Sequence, residues 1–151
     1  MANIVFNIAK GRVVEYYNRV ENNDPGTARL VLVPIETTGL QSDATLIDMD
    51  DLAAVLAGAT NEQTTMGRKF LTDTELAALP APDDGNDRYD VSLPTVTWTA
   101  AAGNAISKIL VAYDPNSSAD SAIIPLTMFD AVLTPSGNDA VLQAGVFFRA
   151  A

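Results

Sequence analysis

Cysteine and histidine are both absent from this chain, which removes several kinds of chemistry. Without thiols there is no disulfide framework, no Cys nucleophile and no thiolate zinc site. Without imidazole the chain lacks the commonest general base and the commonest transition-metal ligand, so Ser-His-Asp, Cys-His and His-zinc mechanisms are excluded. We therefore expect no enzymatic activity, no bound cofactor and no metal.

Positive charge and long apolar runs are also scarce. The chain has 9 basic and 19 acidic residues, a net charge of −10, which repels nucleic-acid phosphates and anionic lipid. No stretch approaches the ~20 apolar residues of a membrane-spanning helix. The N-terminal segment lacks the basic region and long apolar run of a secretion signal. We expect no nucleic-acid or membrane partner, and instead a partner with basic patches.

The 151 residues, of which 48% are hydrophobic, predict a single domain over residues 1–151. Residues 88–148 alternate between apolar and polar side chains, with turn signals between the runs. This pattern predicts an antiparallel sheet, a sandwich or a barrel in the C-terminal half. With one or two short helices in the N-terminal half, the fold class is α+β and dominated by strands.

Residues 3–23 carry an apolar stripe at helical spacing, which predicts a helix, although the paired valines and tyrosines also favour a strand. The stripe consists of Ile8, Val13, Tyr16, Tyr17 and Val20. The continuous apolar run at residues 28–36 predicts a buried strand, and Pro34 places its end at an edge or a bulge. Residues 100–105 are predicted to form a hairpin connection between two strands.

A second helix is predicted where Asp48, Asp50 and Asp51 precede an apolar stripe that ends at Gly58. Neighbouring carboxylates also carry out acid/base catalysis in glycosidases. Capping of the helix N-terminus and the favourable interaction with its dipole explain these residues without catalysis. We therefore interpret the aspartates as structural.

The loop at residues 114–120 has oxygen-bearing side chains at every second position, namely Asp114, Asn116, Ser118 and Asp120. This spacing resembles the start of a calcium-binding loop, but the glycine at the sharp turn and the distal glutamate are missing. The same residue types are typical of any solvated turn, and we favour that interpretation.

Two sets of residues are candidates for a protein interface. Arg12 and Arg19 are seven residues apart and share a face if the segment is helical. Trp98 is typical of a buried core residue, although tryptophan is also enriched at interface hot spots. In a regular strand Phe147 and Phe148 point to opposite faces, so one of them would face outward or towards a neighbour. With Phe6 in the apolar N-terminal segment, they predict a homo-oligomer.

Seven segments, in order along most of the chain, resemble a family of small structural proteins of tailed bacteriophages. They are NIAKGRVVEYYNRV (7–20), NDPGTA (23–28), SDATLIDMDDLAAVLAGATNEQT (42–64), DDGNDRYDVSLPTVTWTA (83–100), ILVAYDPN (109–116), IIPLTMFD (123–130) and FFRAA (147–151).

The resemblance implies a virion component without catalytic residues, which in this family is a capsid decoration or cement protein. Its expected partners are the major capsid protein or neighbouring virion subunits. The resemblance also implies small homo-oligomers, with a trimer favoured. Its expected location is the capsid surface of the virion, after assembly in the host cytoplasm. A tail-tube or other tail-associated protein is the first alternative, and a carbohydrate-binding β module on the particle surface is the second.

Overall fold

Strands dominate the fold of this chain, for which a computed structural model describes residues 4–116 and 119–151. The fold class is α+β, as predicted. Nine strands lie in these residues: β1 (Ile4–Val5), β2 (Arg29–Glu36), β3 (Lys69–Leu71), β4 (Tyr89–Leu93), β5 (Val96–Trp98), β6 (Ile106–Asp114), β7 (Ile124–Leu133), β8 (Ala140–Leu142) and β9 (Gly145–Ala150).

The main sheet has five antiparallel strands in the order β1-β7-β6-β2-β3. It is not confined to the C-terminal half as predicted, since β1, β2 and β3 come from the first half of the chain. The long strands β2 and β6 are apolar on both faces and lie at the centre of the sheet, where both faces are covered. Alternation in sequence identified the strands but carries no information about their partners.

Strand β2 shows how the sheet divides two layers of core. Leu30 and Leu32 pack into the core on one face, while Val31 and Val33 pack into a separate core on the other. This two-sided burial explains the continuous apolar run and confirms the predicted strand. Pro34 lies beyond the part of β2 that pairs with β3, and a register shift follows at Ile35. The prediction that Pro34 marks an edge or a bulge is therefore confirmed.

Three short α-helices, rather than one or two, cover the sheet: α1 (Val13–Glu21), α2 (Asp43–Leu46) and α3 (Leu52–Ala57). α1 is shorter than the helix predicted for residues 3–23. Residue 3 of that range lies outside the described residues. α1 follows a 3-10 turn at Asn7–Ala9, and Gly11 separates the two with a φ of 78°. Ser42 and Asp51 cap α2 and α3 separately through their side chains.

The remaining strands form two separate two-stranded sheets, β4 with β9 and β5 with β8, which are together called the ribbon below. Pro94 and Thr95 separate β4 from β5, and the Thr95 hydroxyl accepts a hydrogen bond from the Ala144 amide at 3.3 Å. The prediction of a hairpin at residues 100–105 is wrong, because β5 pairs with β8 and not with β6. The ribbon and α1 bury one face of the main sheet, and α2 and α3 bury the other.

Candidate functional site

Three of the six predicted interface residues are buried in the chain itself. Phe6 packs beneath α2 and α3, and Trp98 and Phe147 belong to the core between the sheet, α1 and the ribbon. The indole Nε1 of Trp98 donates a hydrogen bond to the Gly67 carbonyl at 2.9 Å. All three are core side chains that stabilise the fold, and none of them projects from the surface as an exposed interface anchor. The oligomer itself stays a prediction.

Arg12, the residue before α1, and Arg19 within it both reach the surface beside Glu15, but they do not present bare positive charge. Both form salt bridges with Glu15, each at 3.1 Å. The Arg12 guanidinium also lies over the Tyr16 ring, 4.7 Å from its centroid. The hydrogen bond from Arg12 lowers the pKa of Glu15, which therefore stays ionised between the two arginines. Arg12, Glu15 and Arg19 form a compact ion-paired patch with a small net charge.

Phe147 and Phe148 both pack against the same core cluster, although Phe148 stays partly exposed. The cause is a β-bulge: Val91 pairs with Phe148 and Ser92 pairs with Val146, so Phe147 is an extra residue in β9. A bulge breaks the strict alternation on which the sequence prediction depended. The expectation that one phenylalanine points away from the core fails here for that reason.

The candidate calcium loop is held by arginines. The buried Asp114 forms a salt bridge with Arg29 at 2.8 Å, and Asp120 forms one with Arg68 at 2.6 Å. Asn116 accepts a hydrogen bond from the Thr27 hydroxyl, and Ser118 lies outside the described residues. Within residues 4–116 and 119–151, no group of three or more acidic side chains is placed to hold a metal ion.

Arg68 forms the most tightly paired charge cluster of this region. Its guanidinium bonds both Glu62, at 2.6 Å, and Asp120, and these hydrogen bonds raise its pKa. The same contact lowers the pKa of Asp120. The cluster links the loop before β3 to the 3-10 turn at Asp120–Ala122. Both of its carboxylates are paired with the Arg68 guanidinium, so its role is structural.

A groove of about 450 Å³ opens between the end of β7 and β8. Its floor is core, formed in part by the buried Trp98, Ile106 and Ile109. Its walls are residues 129–133 and 139–143. Strands β7 and β8 belong to different sheets, which is why they leave a space between them. Sequence reasoning placed Trp98 in a core or at an interface, and the structure places it both in the core and at the base of this groove.

Sequence reasoning missed the groove walls, although the sequence carries a signal for them. The tetrapeptide Asp-Ala-Val-Leu occurs twice, at residues 130–133 and 139–142. All eight of these residues line the groove, one copy on each wall. Four residues are too few to indicate a structural repeat in a sequence. Only the fold places the two copies on opposite walls of one groove.

Comparison of the chain with protein-family models, with curated proteins and with solved structures finds no match. None of the helices in the described parts of the chain is long and apolar enough to cross a membrane.

Proposed function

We propose that this chain is a structural protein of a tailed-bacteriophage virion that decorates the outside of the capsid. The observation that carries the proposal is the resemblance of seven segments, in the same order, between residues 7 and 151. This likeness rests on whole segments and includes no catalytic motif, so the function it implies comes from the family as a whole and not from individual site residues.

The chemistry of the surface supports a binding role. His and Cys are absent, and the carboxylates of the 114–120 loop and of the Arg68 cluster are paired with arginine. A net charge of −10 opposes contact with packaged DNA and suits the outer side of a shell.

Both ends of the described chain lie in paired strands, and this also supports the proposal. β1 pairs with β7, and β9 pairs with β4 through five of its six residues. Ends that are tied down in this way make a rigid building block. Such a protein stabilises a shell by binding the assembled state more tightly than free subunits, and many copies on one lattice add their contributions.

A carbohydrate-binding module uses exposed aromatic rings as a platform. Phe70 is the exposed aromatic side chain of the described part of the chain, and the Arg29 guanidinium covers it at 3.9 Å from the ring centroid. We therefore do not propose that role.

The proposal is tested by counting copies of the protein in purified virions of the phage that encodes it. A decoration protein is expected in hundreds of copies, located on the capsid in a cryo-EM map. Particles that lack the protein should assemble but release DNA at a lower temperature, and purified protein added back should restore the wild-type temperature. A few copies confined to the tail would favour the tail-associated alternative, and absence from the virion would refute both.

A further inference from the structure

The two Asp-Ala-Val-Leu segments give the groove between β7 and β8 the same chemistry on both walls. Each wall presents an exposed aspartate and an exposed valine: Asp130 with Val132 on one side, and Asp139 with Val141 on the other. The floor between them is apolar and buried. An apolar floor with a few polar groups at its edge is the usual composition of a binding site, and the volume lies within the usual range of roughly 300–1,000 Å³.

The valines at the rim are unusually exposed. Val132 is 86% exposed and Val141 is 48% exposed, and they account for two of the four large hydrophobic side chains that the described residues expose. The other two are Ile8, which is less exposed than either valine, and Phe70, which Arg29 covers. Exposed apolar side chains that gather around one concavity indicate an interaction site.

The charge at the rim is negative. The residues that line the groove include Asp130 and Asp139 but no lysine or arginine. Asp130 forms a salt bridge with Lys108 at 2.8 Å, and Lys108 also contacts Asp43. Asp139 accepts a hydrogen bond from the Ala100 amide, a contact that leaves its charge in place. A ligand that complements this rim carries positive charge beside its apolar groups.

We propose that the groove binds an extended, mainly apolar segment of another protein, and that this segment carries at least one lysine or arginine. The segment places apolar side chains over Trp98 and between Val132 and Val141, and its cation meets Asp139. The inference goes beyond the proposed virion role and rests on the groove alone.

A second copy of this chain is a poor occupant. Two copies at −10 each repel one another. Seven of the nine basic side chains already form ion pairs in the described part of the chain: Arg12, Arg19, Arg29, Arg68, Arg88, Lys108 and Arg149. The cation is therefore expected to come from a different protein.

The test is an in vitro selection of random twelve-residue peptides on the immobilised full chain, followed by titration of the enriched peptides in solution. Enriched peptides should combine apolar residues with lysine or arginine. Trp98 is the only tryptophan of the chain and lies on the groove floor, so its fluorescence should change on binding of a tryptophan-free peptide. Selection of acidic peptides, or of none, would overturn the proposal.

Surface variants locate the binding. The double variant Val132→Ser/Val141→Ser should weaken the selected peptides about tenfold or more, because it removes the apolar rim while leaving the floor intact. Asp139→Asn keeps an oxygen for the Ala100 amide and should weaken binding about two- to fivefold, with a smaller dependence on salt. Ile8→Ser removes an exposed apolar side chain outside the groove and should bind as wild type.

Unchanged affinity in the valine double variant, with the same melting temperature as wild type, would place the binding elsewhere and refute the proposal. Concentration-dependent self-association that the double variant abolishes would identify a second copy as the occupant and would also refute it. These outcomes are independent of the virion experiment, since a chain absent from virions can still bind peptides, and a chain present there can fail to.

Discussion

At the scale of single residues, β9 shows how one inserted residue changes which side chains the core receives. The bulge at Phe147 turns this ring into the core, where it packs 6.4 Å from the Tyr17 ring, centroid to centroid. Phe148 contacts the same cluster from a partly exposed position. Removal of the last residues of the chain would therefore unfold part of the core, and loss of association after such a deletion would not by itself locate an interface.

Phe147→Ala is expected to destabilise the protein by about 3–5 kcal/mol, because it leaves a cavity in a fully buried site. Phe148→Ala should cost clearly less, because this side chain is already partly hydrated. Chemical denaturation of both variants measures the difference. Equal costs would show that Phe148 is buried as deeply in the core as Phe147.

Gly39 and Gly137 form a natural pair for a test of steric strain, since both have positive φ, at 80° and 84°. A Cβ on Gly39 would lie 2.0 Å from the Ala59 carbonyl oxygen, while a Cβ on Gly137 would meet no atom within 4 Å. Gly137→Ala should cost about 1–2 kcal/mol from backbone strain alone. Gly39→Ala should cost at least about 1 kcal/mol more from the clash, and equal unfolding free energies would contradict this.

At the scale of elements, the helices depend on local signals, and α3 is the clearest case. Asp51 accepts a hydrogen bond from the Ala54 amide at 2.7 Å, which satisfies one of the free N–H groups at the helix start. Asp51→Ala should therefore lower the free energy of unfolding by about 0.5–2 kcal/mol. Asp50→Ala, which removes the neighbouring exposed carboxylate, is the matched control and should change it little. Similar losses in both variants would indicate a general charge effect and not a cap.

The 114–120 loop is the second element on which sequence and structure can be compared. Its aspartates are paired with Arg29 and Arg68, so a cation would have to displace two arginines. We expect the melting temperature to be the same in excess calcium and in EDTA. A rise of many degrees in calcium would show that the loop holds an ion in place of these arginines.

At the scale of the whole molecule, most of the positive charge is used to hold carboxylates in place. The pKa values of Asp83, Asp90 and Asp120 are all lowered, chiefly by hydrogen bonds from Asn86, Arg149 and Arg68 respectively. A lowered pKa means that the folded state binds protons less readily than the unfolded state. The stability that this contributes is present above the unfolded pKa, about 3.9, and is lost as the pH falls through the folded value.

The melting temperature should accordingly fall as the pH is lowered from 5 towards 3. Asp120→Asn should make this fall in melting temperature smaller, because the ionisable partner of Arg68 at position 120 is then gone. Asp50→Asn changes an exposed carboxylate, and its melting temperature should fall with pH as that of the wild type does. If Asp120→Asn and wild type decline in parallel, the Arg68 cluster does not contribute to acid sensitivity.

The sequence by itself determined the features that neighbouring residues encode. The apolar stripe Val13, Tyr16, Tyr17 and Val20 became the buried face of α1, and Asp51 became the cap of α3. The apolar run at residues 28–36 became the buried strand β2. Helical spacing, capping and two-sided burial all act over a few residues, so they can be predicted from the order of the side chains alone.

The tertiary structure decided the features that depend on distant partners. It paired β2 with β6 and β5 with β8, inserted Phe147 as a bulge, and brought two Asp-Ala-Val-Leu segments to face each other across a groove. An alternating pattern specifies that a strand has a buried face, but it does not specify which strand lies beside it. Partner choice follows from how all the apolar faces are buried together, and the candidate binding groove exists because β7 and β8 are drawn into different sheets.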